Sequence, residues 1–229
     1  EDLPVCGSTP VAQYTSDVSS RLRGDAGTKF DIRVRRPATG QTFTFTLTRR
    51  NISMPSVTLR KLLTDSVGYV HVTQFIEGTA SDLRRAITDL KQQGARRLVL
   101  DLRGNPGGVI DEAVRTVNLF IPRGREVVST RGKVKESNNT YKTTSDPLDT
   151  EFPLVVLVDN YSASASEITS GALQDYDRAV ILGRRTYGKG LVQQSREMPY
   201  KGVLKLTSAK YYIPSGRCVQ AYEFKDGLP

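Results

Sequence analysis

The chain has 229 residues, 38% of them hydrophobic and 25% charged, and its 33 Lys and Arg against 24 Asp and Glu give a net charge of +9. That is enough chain for one domain of ordinary size and a smaller one, and apolar runs recurring throughout exclude disorder as the main state. The longest apolar run, residues 152–158, contains Pro153 and falls far short of the roughly 20 residues a membrane-spanning helix needs.

The basic excess does not point to nucleic acid. Its cations come in scattered pairs (Arg35-Arg36, Arg49-Arg50, Arg84-Arg85, Arg96-Arg97, Arg184-Arg185), aromatics are only 7%, and no zinc-finger or RNA-binding motif occurs. They read as solvated surface. With one histidine, no CxxC and no HExxH, zinc is set aside and no cofactor is expected. Cys6 and Cys218 permit one disulfide without demanding it. No positively charged, apolar leader opens the chain.

In chain order, Ser16 or Asp17 is expected to cap a short helix through Val18 and Leu22, which Gly24 ends. Phe30, Ile32 and Val34, then Phe43, Phe45 and Leu47, alternate with polar residues around a turn at 37–40, the signature of a half-buried hairpin. Residues 51–64 carry Pro55 and read as a linker. Beyond it strands and helices alternate. A strand at 68–75 precedes a helix opened by the capping box of Thr79 and Asp82, with Leu83, Ala86, Ile87 and Leu90 on one face and Gly94 at its end. A buried strand at 97–102 runs into DLRGNPGG (101–108) and a helix bearing Ala113, Val114 and Val117. Residues 131–151 read as a polar surface excursion. A strand at 154–158, a serine-rich turn, a helix through Ile168, Ala172 and Leu173, and a strand at 179–182 follow. Two β segments, 203–208 and 210–213, close the pattern. The alternation predicts an α/β core with a largely parallel sheet.

Two strand-to-helix turns are the candidate site, because such crossings expose backbone amides at a helix N-terminus. The glycines of DLRGNPGG let an amide approach a substrate oxygen with no Cβ in the way, although a tight βα turn alone would also want them. In NYSASASE (160–167) a serine between strand and helix can be held hydroxyl outward, or can merely cap the helix. A nucleophile needs a base. His71 lies in a strand and reads more readily as structural. Lys189, between Gly188 and Gly190, is the other candidate, and to act near neutrality its pKa must fall from about 10.4 to about 7–8 through burial.

Strand plus DLRGNPGG, strand plus NYSASASE and strand plus TYGKGLVQQ, in this order, closely resemble the carboxy-terminal processing peptidases, or tail-specific proteases. GYVHVTQF, ALQDYDRA and LTSAKYYIPSGR add to the likeness, which runs from about residue 14 to 220. The resemblance implies a ClpP/crotonase-like core of βα units over 65–229 and a serine protease with a Ser-Lys dyad. In it Ser164 matches the nucleophile, with Ser162 and Ser166 as lesser candidates, Lys189 the general base and Gln193 the residue orienting its amine. Gly108 and the amide of Ala165 match the oxyanion hole, and Glu167 and Thr186 sit where they shape the site.

Residues 1–50 are similar to part of a PDZ domain, a small and incomplete α+β unit, with 15–50 its groove helix and last strands and 3–11 the strand and turn before them. The family likeness further implies protein or peptide substrates with apolar C-terminal tails, a periplasmic or envelope location, and room for an activating adaptor or lipoprotein and for oligomers. Two other classes stay open at this point. One is a dormant scaffold of the same fold, and the other a crotonase-like acyl-CoA enzyme, whose glycine turn also makes an oxyanion hole.

Overall fold

The computed structural model describes residues 11–52, 55–64 and 66–222. The chain divides into two compact units, Glu1–Met54 and Pro55–Pro229.

In the first unit, α1 (Val11–Leu22) is followed by an antiparallel hairpin of β1 (Lys29–Arg35) and β2 (Thr42–Thr48). The expected hairpin forms, with Ile32 opposite Phe45, but it is mostly exposed rather than half-buried: only Phe30, Ile32 and Phe43 are partly covered. The helix begins before the predicted Ser16 or Asp17 cap, both of which lie inside it. One side chain ties these elements together. Arg49 donates to the carbonyls of Leu22 (2.9 Å) and Arg21 (3.1 Å) at the helix end, where a cation is favoured, and stacks 4.1 Å over Phe30. Val18, Leu22, Phe30 and Leu47 line an apolar groove of about 1130 Å³. Of the strand and turn expected at 3–11, all but Val11 lies outside the described residues, as does Cys6; Val11 opens α1.

The second unit opens with β3 (Val57–Thr64), paired antiparallel to β4 (Val67–Val72). Most of the predicted linker, 51–64, is therefore strand. Thr58, Arg60 and Lys61 disguised it, and such polar residues suit a strand with one open edge. After α2 (Thr79–Gln92) come β5 (Arg97–Asp101), α3 (Ile110–Val117), β6 (Glu126–Gly132), β7 (Asn139–Lys142), β8 (Leu154–Val158), α4 (Ala165–Asp175), β9 (Val180–Gly183), β10 (Leu191–Glu197) and β11 (Val203–Tyr212).

One sheet has the order β3-β4-β5-β8-β9, parallel from β4 onward, and its βα crossovers bring α2, α3 and α4 onto it. The other, β10-β11-β6-β7, is antiparallel. Residues 131–151 lie at the surface as expected, all but Thr143 exposed or half-buried, and they also supply the end of β6 and all of β7. Asn118 fixes the stretch by accepting the Thr144 and Ser145 amides (3.1 and 2.9 Å). The two expected closing segments are one strand, β11.

Helix α2 also starts differently from the capping-box reading. Gly78 occupies the cap position in a left-handed conformation (φ 90°), and Thr79 turns back to the Ile76 carbonyl (2.7 Å). The orphan amide of Ala80 goes to the buried carboxylate of Glu112 on α3 (2.8 Å). Leu83, Ile87 and Leu90, all at most 1% exposed, seat α2 against β3, β4 and α3. Each such burial stabilises by roughly 1.5–3 kcal/mol.

Helix α4 breaks the usual composition rule. Its stretch ASEITSGAL is buried along its length although four of its nine residues are polar. Thr169 and Ser170 satisfy their own hydroxyls on the carbonyls one turn back (2.8 Å each). Ile168 and Leu173, fully buried, root the helix in the core, so its N-terminus is held in a fixed place.

Candidate active site

The C-terminal ends of β4, β5, β8 and β9 converge, the crevice where open α/β sheets place their chemistry. After β8 the chain reaches Ser164 at the cap position of α4, with φ 55° and ψ −113°. A serine in that region is strained by about 1–3 kcal/mol, and it persists because its surroundings fix it.

The three serines of SASAS separate cleanly. Ser162, fully buried, donates to the Leu102 carbonyl (2.7 Å), and Ser166, equally buried, to the Asn105 carbonyl (3.0 Å). The Ser164 hydroxyl alone donates to no acceptor among the described residues. Of the three it is also the least enclosed, at 8% exposure.

Facing it is the glycine turn after β5. Gly107 (φ 95°) lies so close that a Cβ would stand 2.5 Å from the Ala163 carbonyl oxygen and 2.8 Å from the Ala165 nitrogen. Gly108 makes an isolated parallel bridge with Phe75, in which Phe75 N–H donates to Gly107 (2.9 Å) and Val109 N–H to Phe75 (2.8 Å). That pattern turns the Gly108 N–H away from Phe75. The Ala165 N–H is the first amide of α4, a donor without an intrahelical acceptor.

Glu167, one turn into α4, holds the third piece. Its carboxylate, 3% exposed, accepts the amides of Ser164 (2.8 Å), Gly188 (2.6 Å) and Lys189 (2.8 Å). One buried anion thereby fixes the serine backbone and the Lys189 backbone together. The Tyr187 amide adds a bond to the Ser162 carbonyl (3.0 Å). Gly190 is pinned by Gln220, whose side chain accepts its amide (2.8 Å).

Not every predicted residue is gathered in. The Lys189 side chain is exposed, and no hydrogen bond joins it to Ser164 among the described residues. The burial that the sequence argument asked of this amine is absent here. Gln193 is exposed on β10, next to a bulge between Val192 and Gln193. Thr186 is half-buried in the segment after β9 and lines a cavity of about 320 Å³ together with Glu167.

His71 stands apart. Its ring nitrogens lie 3.2 Å from Thr58 Oγ1 and 3.3 Å from the Arg103 carbonyl, tying β3 and β4 to the start of the glycine turn. His71→Ala is expected to leave kcat within about threefold of wild type in a peptide-cleavage assay. A loss beyond a hundredfold in a folded variant would make the histidine the base.

Sequence reasoning passed over the acidic anchors. Asp101 is gripped by the Arg103 guanidinium (2.6 Å) and the Tyr69 hydroxyl (2.6 Å). Asp159 accepts the amides of Gly104 (3.0 Å), Tyr161 (3.0 Å) and Ser162 (3.1 Å), linking the two turns. An Asp closing a strand before a serine-rich turn is a turn signal, and that was the available clue. Burial pushes both carboxyls up, but their hydrogen bonds outweigh it and hold both below the usual carboxylate value. Asp149, bonded to Lys91, is depressed in the same way.

The stability these three carboxylates lend is therefore complete above the unfolded value of about 3.9 and is lost as pH falls from there toward their lower folded values. Thermal melts should show a midpoint dropping below about pH 4, with a smaller drop in Asp101→Asn. A midpoint unchanged from pH 5 to 3 would refute the assignment. Among the described residues, no helix is long and apolar enough to cross a membrane, and no three His, Cys, Asp or Glu gather as metal ligands.

A strained serine at a strand-to-helix elbow, set against a glycine turn, is the arrangement by which serine hydrolases present a hydroxyl. Comparison makes the class specific. Residues 66–227 match peptidase family S41, and the chain belongs to that family. It is 37% identical to a carboxy-terminal-processing protease of Bartonella bacilliformis, over 93% of this chain and 50% of that protein. It is also 37% identical to a carboxyl-terminal-processing protease of Picosynechococcus sp., over 86% and 48% respectively. The photosystem II D1 C-terminal processing protease superposes with a TM-score of 0.65 at 31% identity, covering 92% of this chain and 57% of that one. The chain thus spans about half the length of the curated relatives it matches.

Proposed function

We propose that this chain is the catalytic portion of a serine endopeptidase that cuts proteins near apolar C-terminal tails. The observation that carries the reading is Ser164, held in a strained elbow against Gly107 with a hydroxyl that donates to no acceptor among the described residues. In this scheme Ser164 Oγ attacks the scissile carbonyl as its proton passes to the neutral Lys189 amine, with Gln193 orienting that amine. The amides of Gly108 and Ala165 receive the developing oxyanion. Lys189 then protonates the leaving amine, and water releases the acyl group from Ser164. Glu167 and Thr186 hold the frame.

Lys189 must lose its hydration to act as base, so in this reading bound substrate covers the segment and desolvates it. The same exposure favours a second reading, a resting scaffold that a partner or adaptor switches on. We read the first unit as PDZ-like, its apolar groove taking part in substrate capture, and the location as extracytoplasmic. The test is degradation of an unstructured protein with an apolar tail. Wild type should cut it, and Ser164→Ala and Lys189→Ala should not. Equal cleavage by either variant would end the dyad reading, and a wild type that neither cuts nor reacts with a serine-directed probe would favour the scaffold.

A further inference from the structure

Asn105 sits in the middle of the glycine turn, wholly buried, and holds three segments at once. Its side-chain amide donates to the Val72 carbonyl at the end of β4 (2.9 Å). Its side-chain oxygen accepts the Gly107 amide (2.9 Å), an Asx turn across Pro106. Its own carbonyl accepts the Ala163 amide and the Ser166 hydroxyl, both at 3.0 Å, on the two sides of Ser164. Beyond Gly107 comes Gly108, whose N–H direction is set by the bridge to Phe75, three residues past Val72.

We infer that Asn105 is a positioning residue that aims the Gly108 amide at the oxyanion formed on attack by Ser164. The inference rests on the serine-peptidase reading above. The backbone carbonyl of residue 105 locks the turn to the serine elbow whatever side chain is present. The side chain does the rest: through Gly107 and Val72 it fixes how far the turn is rotated about that lock. A residue that lacks it leaves the Gly107 amide and the Val72 carbonyl unpaired in a dry interior and lets the turn relax. An oxyanion donor misplaced by a fraction of an ångström stabilises the transition state less while leaving ground-state binding alone.

The experiment compares wild type, Asn105→Ala and Asn105→Asp for cleavage of a tail peptide and for inhibition by a peptide aldehyde of the same sequence. Ser164 would add to that aldehyde to give a tetrahedral oxyanion. The expected result is a fall in kcat of about 10²-fold for alanine with KM within threefold. The aldehyde's inhibition constant should weaken in step with kcat/KM. Aspartate keeps the acceptor for Gly107 and should fall between the two; it also serves if alanine does not fold, as judged by circular dichroism.

Folded variants with kcat within threefold of wild type would overturn the inference while leaving the peptidase reading intact. A change confined to KM, or an inhibition constant that fails to follow kcat/KM, would make Asn105 a purely structural residue. A wild type that neither cuts the peptide nor takes the aldehyde would remove the peptidase reading itself.

Discussion

Replacing Ser164 by alanine should reduce kcat for a tail peptide by about 10⁴–10⁶-fold while changing the folding free energy by no more than about 1 kcal/mol. The size of the catalytic loss follows from removing the attacking atom. What remains is whatever the oxyanion amides and binding provide against water. The small change in stability follows from geometry. Among the described residues the Ser164 hydroxyl donates no bond, alanine gives up only the side chain's part in the capping box with Glu167, at about 1 kcal/mol, and the backbone strain at φ 55° is borne equally by both residues. Glycine tolerates that φ, so Ser164→Gly should melt higher than Ser164→Ala although it is just as inactive. Calorimetry of the three forms checks both parts. An alanine variant that unfolds would mean the hydroxyl is structural, and one that cuts normally would move the nucleophile elsewhere.

The second large effect belongs to Glu167. Three amides from two separated segments converge on its carboxylate, and all three become orphans in Glu167→Ala. At about 1–3 kcal/mol for each buried unpaired donor, partly offset by relaxation, the expected cost is about 3 kcal/mol. That corresponds to a melting point lower by about 6–12 °C for a unit of this size. Activity should fall further than stability alone explains, by about 10²–10³-fold in kcat at a temperature where the variant is folded. The reason is that the Ser164 and Lys189 backbones are no longer held by one group. Glu167→Gln retains one oxygen but turns an NH₂ toward an N–H, so it should recover only part of either loss. If Glu167→Ala keeps kcat within threefold, the carboxylate is not what registers the two segments.

How much of this was legible in the sequence differs from element to element. The continuous apolar strands at Arg97–Asp101 and Leu154–Val158 and the 3.6-residue pattern of α2 declare themselves because both faces, or one whole face, are buried. The two turns that follow the strands were legible for the same reason, since glycines and serines stand out after an apolar run. Strands β3, β6, β7 and β10 were missed. Each carries charged or polar residues, and β6 and β7 also interrupt a crossover that would ordinarily hold only a helix.

The site was legible as a set of residues but not as a set of bonds. Spacing alone says nothing of a carboxylate at 167 reaching amides at 188 and 189, or of Asn105 reaching Val72, because those contacts exist only once the sheet brings its strand ends together. Lysine at 189 is the reverse case. The flanking glycines suggested a buried amine, whereas their role is to let the chain at Gln220 and Ala221 pass close by. A Cβ at Gly188 would stand 2.2 Å from that of Ala221, and one at Gly190 2.5 Å from the Gln220 nitrogen.

The most direct test of the central claim is to treat the protein with a fluorophosphonate, digest it and locate the adduct by mass spectrometry. The account predicts a single phosphonate on Ser164, absent from Ser164→Ala and formed more slowly in Lys189→Ala. An adduct on Ser162 or Ser166, or none on a protein that nonetheless cuts its substrate, would contradict it.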